Sequence, residues 1–99
     1  MEKYTPVKSY ELPILEALAE LNGEGGSKDV ISRVYYKTRG LLTLADVNSI
    51  TGSEVAWRNR VRWAKSRLSK ANLVVSEKKG RWKLTSKAVS LLKDLKGTR

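Results

Sequence analysis

The stretch SEVAWRNRVRWAKSRLSKANLVVSEKKGRWKLT, residues 53–85, changes its hydrophobic period halfway along. From Ser53 to Ala71, steps of about 100° per residue gather Trp57, Val61, Ala64 and Leu68 into one narrow sector, with Ala71 at its edge. That is a helix with a single buried stripe, and Ser53 is placed to cap it. Leu73-Val74-Val75 and Arg81-Trp82-Lys83-Leu84 then read as strands, joined through the turn Lys78-Lys79-Gly80. Glycine supplies the positive-φ corner that a tight hairpin needs. A long helix running straight into a hairpin is the piece on which the fold depends.

Upstream, residues 1–8 are polar with Tyr4, Pro6 and Val7 and read as an extended arm before a domain of residues 9–99. Ser9 or Leu12 starts a first helix, since Pro13 is tolerated only in a first turn. Leu12, Ile14, Leu15, Leu18 and Leu21 mark its buried stripe, and Asn22-Gly23-Glu24-Gly25-Gly26 ends it as a loop. Ser27 is a natural N-cap for a second helix whose inner face is Val30, Ile31, Val34 and Tyr35, and which Gly40 stops near Arg39. Thr43-Leu44-Ala45-Asp46 looks like a capped short helix, with Asp in place of the usual Glu of a capping box. Downstream, Thr85 caps a last helix carrying Ala88, Val89, Leu91, Leu92 and Leu95. The order helix, helix, short helix, long helix, hairpin, helix predicts an α+β, mostly helical winged helix-turn-helix. In that fold the long helix, residues 53–71, enters the major groove, and the hairpin, residues 76–83, is a wing on the flanking backbone.

Charge follows the same division. From Val55 to Lys93 there are twelve basic residues and one acid, Glu77, whereas residues 1–54 carry six basics and eight acids. An imbalance of this size costs self-repulsion in the compact state, and it makes sense against a polyanion. On the long helix, Asn59, Arg62, Trp63, Ser66 and Lys70 lie opposite the core stripe, with Arg58 and Lys65 on one flank and Arg60 and Arg67 on the other. Arginine can grip guanine O6 and N7 with a bidentate fork, and asparagine can grip adenine N6 and N7. The lysines and the flanking arginines would bind phosphates, giving position and affinity but no sequence information. The DNA-contacting set expected from the sequence is therefore Ser53, Arg58, Asn59, Arg62, Trp63, Lys65, Ser66 and Lys70 from the helix, with Lys78, Lys79 and Arg81 from the wing. A merely solvated face fits poorly, because no acid balances the six cations between Val55 and Lys70. Trp63 has two readings: packing beneath the second helix or the arm, or stacking on a sugar or base. The wing lysines also have a plainer use, blocking edge-to-edge strand pairing.

Composition excludes several classes. The chain has 99 residues, 40 % of them hydrophobic, which suits one folded domain. With neither Cys nor His, thiolate and imidazole metal sites, disulfides and imidazole acid–base chemistry are out of reach. No apolar run approaches the roughly 18 residues of a membrane span, and the first residues lack a signal-peptide core. The expectation is a soluble, cytoplasmic, non-enzymatic protein without cofactor, metal or small-molecule ligand. Its partner would be double-stranded DNA, with a possible homodimer through the terminal helix. The absence of Gln and Cys among many charges hints at a hot-living source.

Three runs then look familiar: Ser9-Tyr10-Glu11-Leu12-Pro13-Ile14-Leu15-Glu16-Ala17-Leu18-Ala19, Trp57-Arg58-Asn59-Arg60-Val61-Arg62-Trp63-Ala64, and Gly80-Arg81-Trp82-Lys83-Leu84-Thr85. Together they resemble the amino-terminal domain of Mrr-type restriction proteins over about residues 9–95. The resemblance implies a winged helix that recognises DNA and directs a nuclease to modified sites. Asn59, Arg60, Arg62 and Trp63 carry over as motif positions without assigned contacts. No nuclease is expected in this chain: Glu77-Lys78-Lys79 fits the Glu-x-Lys pattern by letter, but no acid between Val55 and Ser76 could partner it. The roles that follow are a transcriptional regulator or the targeting subunit of a restriction system. A protein-interaction adaptor and an RNA binder are the alternatives.

Overall fold

The computed structural model describes residues 4–51 and 54–97. A 3-10 turn, Val7–Tyr10, leads into α1 (Glu11–Glu20), followed by β1 (Glu24–Gly26), α2 (Ser27–Thr38) and α3 (Leu44–Asn48). A small ribbon of β2 (Ile50–Thr51) and β3 (Glu54–Val55) precedes α4 (Ala56–Lys70). Then come β4 (Val74–Val75), β5 (Arg81–Leu84) and α5 (Ser86–Gly97). This is the α+β winged-helix fold expected from the sequence, mostly helical with one small antiparallel sheet.

Two helices end in the same way. Asn22 and Asn72 adopt positive φ, at 64° and 62°. They turn the chain so that Gly23 N–H reaches the Leu18 carbonyl at 2.8 Å and Leu73 N–H reaches the Leu68 carbonyl at 2.9 Å. Asparagine tolerates the left-handed region better than most side chains, and this closure satisfies carbonyls that a helix end leaves over. The α1 stripe differs from expectation at one point. Ile14, Leu15, Ala17 and Leu18 are buried, but Leu12 is 45 % exposed. At about 100° per residue Leu12 falls well off the sector centred on Ile14 and Leu18. The stripe of α4 is as read, with Trp57, Val61, Ala64 and Leu68 all in the core beside Trp82 and Leu84 of β5.

Three expectations need correction. Glu24–Gly26 is a strand, not loop: it pairs antiparallel with Arg81–Lys83 and completes a sheet ordered β1-β5-β4. The wing strand β5 thus has a partner on each side. Ser27 is the first residue of α2; the cap position is Gly26, with no side-chain bond. The long helix begins at Ala56 with Val55 as its cap, three residues later than Ser53, because Glu54 and Val55 pair with Thr51 and Ile50 as a ribbon. Ser53 itself lies outside the described residues.

The capping box at Thr43 is present. Thr43 Oγ1 accepts from Asp46 N–H at 3.2 Å, and Asp46 accepts from Thr43 N–H at 2.8 Å. Asp46 is fully buried and also accepts from Thr5, from N–H at 2.9 Å and from the hydroxyl at 2.5 Å. One carboxylate therefore ties residues near the amino terminus to α3. The adjacent Tyr10 hydroxyl is buried with no hydrogen-bond partner among the described residues. Burial, with the Asp46 charge close by, pushes its pKa up to about 12.

In the wing, Arg81 N–H closes the turn onto the Lys78 carbonyl at 3.1 Å, and Gly80 occupies φ +77°. Nothing lies within 4 Å of where a Gly80 Cβ would sit, so a side chain there would cost backbone strain alone. Gly80→Ala is expected to lower stability by about 1 kcal/mol, and Gly80→Asn by less, because asparagine visits the left-handed region more readily. Urea denaturation of both variants checks the order; equal losses would mean the strain argument is wrong.

Candidate nucleic-acid interface

The candidate interface is built on α4 and the hairpin after it. Fifteen helical residues make a rod of about 22 Å. The helix docks on α1, α3 and the 3-10 turn, and the opposite face is left to solvent. Arg58, Arg62, Trp63, Ser66 and Lys70 are all exposed there, and Asn59 is partly buried and engaged. Lys78 and Lys79 project from the wing turn into solvent. Among the described residues, Arg58, Lys70, Lys78 and Lys79 form no ion pair, which leaves their charge available to a polyanion.

The arginines are differently placed. The Arg58 guanidinium lies over the Trp57 ring at 5.5 Å, and that of Arg60 over the Tyr4 ring at 4.6 Å. Arg62 donates from Nε to both carboxylate oxygens of Glu54, each at 3.0 Å. Arg67 donates from Nε to Glu11 at 2.6 Å, and Arg81 donates from a terminal nitrogen to Glu24 at 3.2 Å. The charge of these three is partly offset by acids from the amino-terminal half. Glu54, Glu11 and Glu24 were not visible as site residues in the sequence, because 8, 56 and 57 positions separate them from their arginines. No helical spacing links such pairs.

Lys65 differs from the other expected contacts. It is half-buried, with Nζ 5.9 Å from the centroid of the Trp82 ring. A cation over an indole is attracted to the face of its π-system, and here that contact joins α4 to the wing strand. Trp63 is 59 % exposed. With Val7, Ser66, Arg67 and Lys70 it lines a shallow groove beside the 3-10 turn. It packs neither under α2 nor into the core.

Among the described residues no group of His, Cys, Asp and Glu could hold a metal ion, and no helix is long and apolar enough to cross a membrane. The surface has the makings of electrostatic and hydrogen-bonding recognition.

Comparison with protein families matches residues 8–94 to the Mrr N-terminal domain. No curated protein and no solved structure matches the chain.

Proposed function

The chain belongs to the Mrr N-terminal domain family, and on that premise we propose that it binds double-stranded DNA through α4 and the wing. The observation that carries this reading is the charge of residues 55–93, twelve basics to one acid, together with the exposure of Arg58, Arg62, Ser66, Lys70, Lys78 and Lys79. In the proposed pose α4 lies in the major groove. Arg58, Asn59, Arg62 and Ser66 face base edges; Lys70, Lys78, Lys79 and Arg81 hold phosphates; and Trp63 abuts the sugar-phosphate wall. Lys65 steadies the wing against α4 at the edge of this surface. Ser53, outside the described residues, stays in the proposed DNA-contacting set.

The chain would recognise DNA without chemistry of its own, as a regulator or as the targeting subunit of a restriction system. Leu91 and Leu95, exposed one turn apart on the same flank of α5, support a further reading in which two copies meet there over a palindromic site.

The test is a fluorescence-anisotropy titration of labelled duplexes, methylated and unmethylated, from low to physiological salt. Steep loss with salt together with a subset of sequences that survives it is the expected result. Steep loss with no surviving subset would leave a non-specific coating protein. No binding at low salt, or equal binding of structured RNA, would overturn the duplex reading. Within a surviving site, Arg62→Ala is expected to weaken binding by about 2 kcal/mol while sparing unrelated duplexes. Uniform weakening on every sequence would place Arg62 on the backbone instead.

A further inference from the structure

Arg62 stands near the middle of the exposed face of α4, and its guanidinium is already held at one edge. Nε donates to both oxygens of Glu54, while the side chain as a whole stays 48 % exposed. Glu54 does not come from α4. It sits on β3, where pairing with Thr51 of β2 fixes its backbone outside the helix. An exposed ion pair of this kind contributes little to stability. A carboxylate on a surface meant for phosphates also repels the ligand. The pair therefore needs a reason other than folding or bulk affinity.

The geometry supplies one. A guanidinium has five N–H donors in a rigid fork, and here the inner one is occupied. The two terminal nitrogens remain, and end-on they match guanine O6 and N7. Holding Nε in place removes rotamer freedom from a long side chain before DNA arrives, so less is lost when the fork closes on a base. Arg81 makes the contrast: it is held through a terminal nitrogen, which takes up part of the fork itself. Arg67 is held through Nε, but on the flank against α1 rather than on the outward face. Among these three, Arg62 alone combines an outward position with a free fork.

We propose that Glu54 is a specificity-determining positioning residue. It orients Arg62 so that the terminal nitrogens read a guanine in the major groove. This rests on the duplex-binding reading above. Glu54 lies just before the cap of α4, where a carboxylate also suits the positive end of a helix. That role alone would be structural and would leave base preference untouched.

The experiment uses the full chain with Glu54→Gln and Glu54→Ala. Each is titrated by anisotropy against the best duplex and against duplexes with each guanine replaced in turn, alongside thermal denaturation. In the wild type, one guanine should prove sensitive to Arg62→Ala. Glu54→Ala should cut discrimination at that guanine about tenfold, whereas Glu54→Gln, whose amide oxygen still accepts from Arg62 Nε, should lose less. In both, affinity for unrelated duplexes is unchanged or rises, because a repelling charge has gone. In an Arg62→Ala background the Glu54 variants should produce no further loss of discrimination. If affinity rises equally on all sequences, Glu54 only repels phosphate and the proposal falls. A lower melting temperature with unchanged discrimination assigns it to the helix end, and the proposal falls again. A wild type whose sequence preference is indifferent to Glu54→Ala sinks this inference alone. A wild type without any preference sinks it together with the sequence-reading part of the proposed function.

Discussion

Asp46→Ala is expected to lower folding stability by about 3–4 kcal/mol, an unusually large loss for a polar side chain in a short helix. The carboxylate is fully buried and accepts three hydrogen bonds: Thr5 N–H at 2.9 Å, the Thr5 hydroxyl at 2.5 Å and Thr43 N–H at 2.8 Å. Removing it leaves buried donors without partners at roughly 1–3 kcal/mol each, reduced by local relaxation and by water entry. It also dismantles the capping box that starts α3. An asparagine at this position would recover part of the loss, since its amide oxygen can accept from Thr5 N–H and its amide nitrogen can donate to the Thr5 hydroxyl, leaving only Thr43 N–H facing a donor; Asp46→Asn should therefore cost less than Asp46→Ala. Burial is the largest single influence on this carboxyl and pushes its pKa up, but the hydrogen bonds from Thr5 and Thr43 together outweigh it. The net shift is downward from 3.8. Because the folded value is the lower one, the associated stability is present above about pH 4 and is lost as pH falls through the folded pKa. Urea denaturation between about pH 7 and pH 2.5 should show a steeper acid loss for the wild type than for Asp46→Ala. Parallel curves would mean the carboxylate is not the group that titrates.

Replacing Lys70, Lys78 and Lys79 together by alanine is expected to weaken binding to every duplex by about 3 kcal/mol at physiological salt. All three are exposed and form no ion pair among the described residues. Each phosphate neutralised releases about 0.9 counterion from duplex DNA. Three lost contacts should therefore flatten the plot of log affinity against log salt by roughly two to three. Stability should barely change, since none of the three touches the core and their mutual repulsion is relieved. The loss should be the same for preferred and unrelated sequences, unlike that of Arg62→Ala. If the salt slope is unchanged, the DNA lies on another face.

Much of the fold was legible because it rests on local periodicity. Trp57, Val61, Ala64 and Leu68 share a helical sector whatever the surroundings, and the same residues are the stripe found in the core. Lys78-Lys79-Gly80 demanded a turn for backbone reasons, and Thr43 with Asp46 announced a helix start. The strand Glu24–Gly26 was illegible because Glu-Gly-Gly has no pattern of its own. It is a strand only because β5 offers an edge whose backbone groups need partners. The start of α4 lies later than its sequence pattern implies for a related reason: Glu54 and Val55 are drawn into a ribbon by Ile50 and Thr51, a pairing decided by the path of the chain.

The same division runs through the candidate site. Charge is additive along a chain, so the basic half, its opposition to an acidic half and the outward set on α4 were determined by the sequence alone. Which cations stay available and which are held was decided by the tertiary structure. Pairing depends on distances of a few ångströms between residues far apart in the chain, as with Glu11 and Arg67 or Glu24 and Arg81. The burial of Asp46 is of this kind too: its short-range partner Thr43 is three residues away, but the one that closes it off from water, Thr5, is forty-one residues back. Local spacing specifies helices and turns because backbone geometry repeats. Contacts across the fold appear only once those elements have packed.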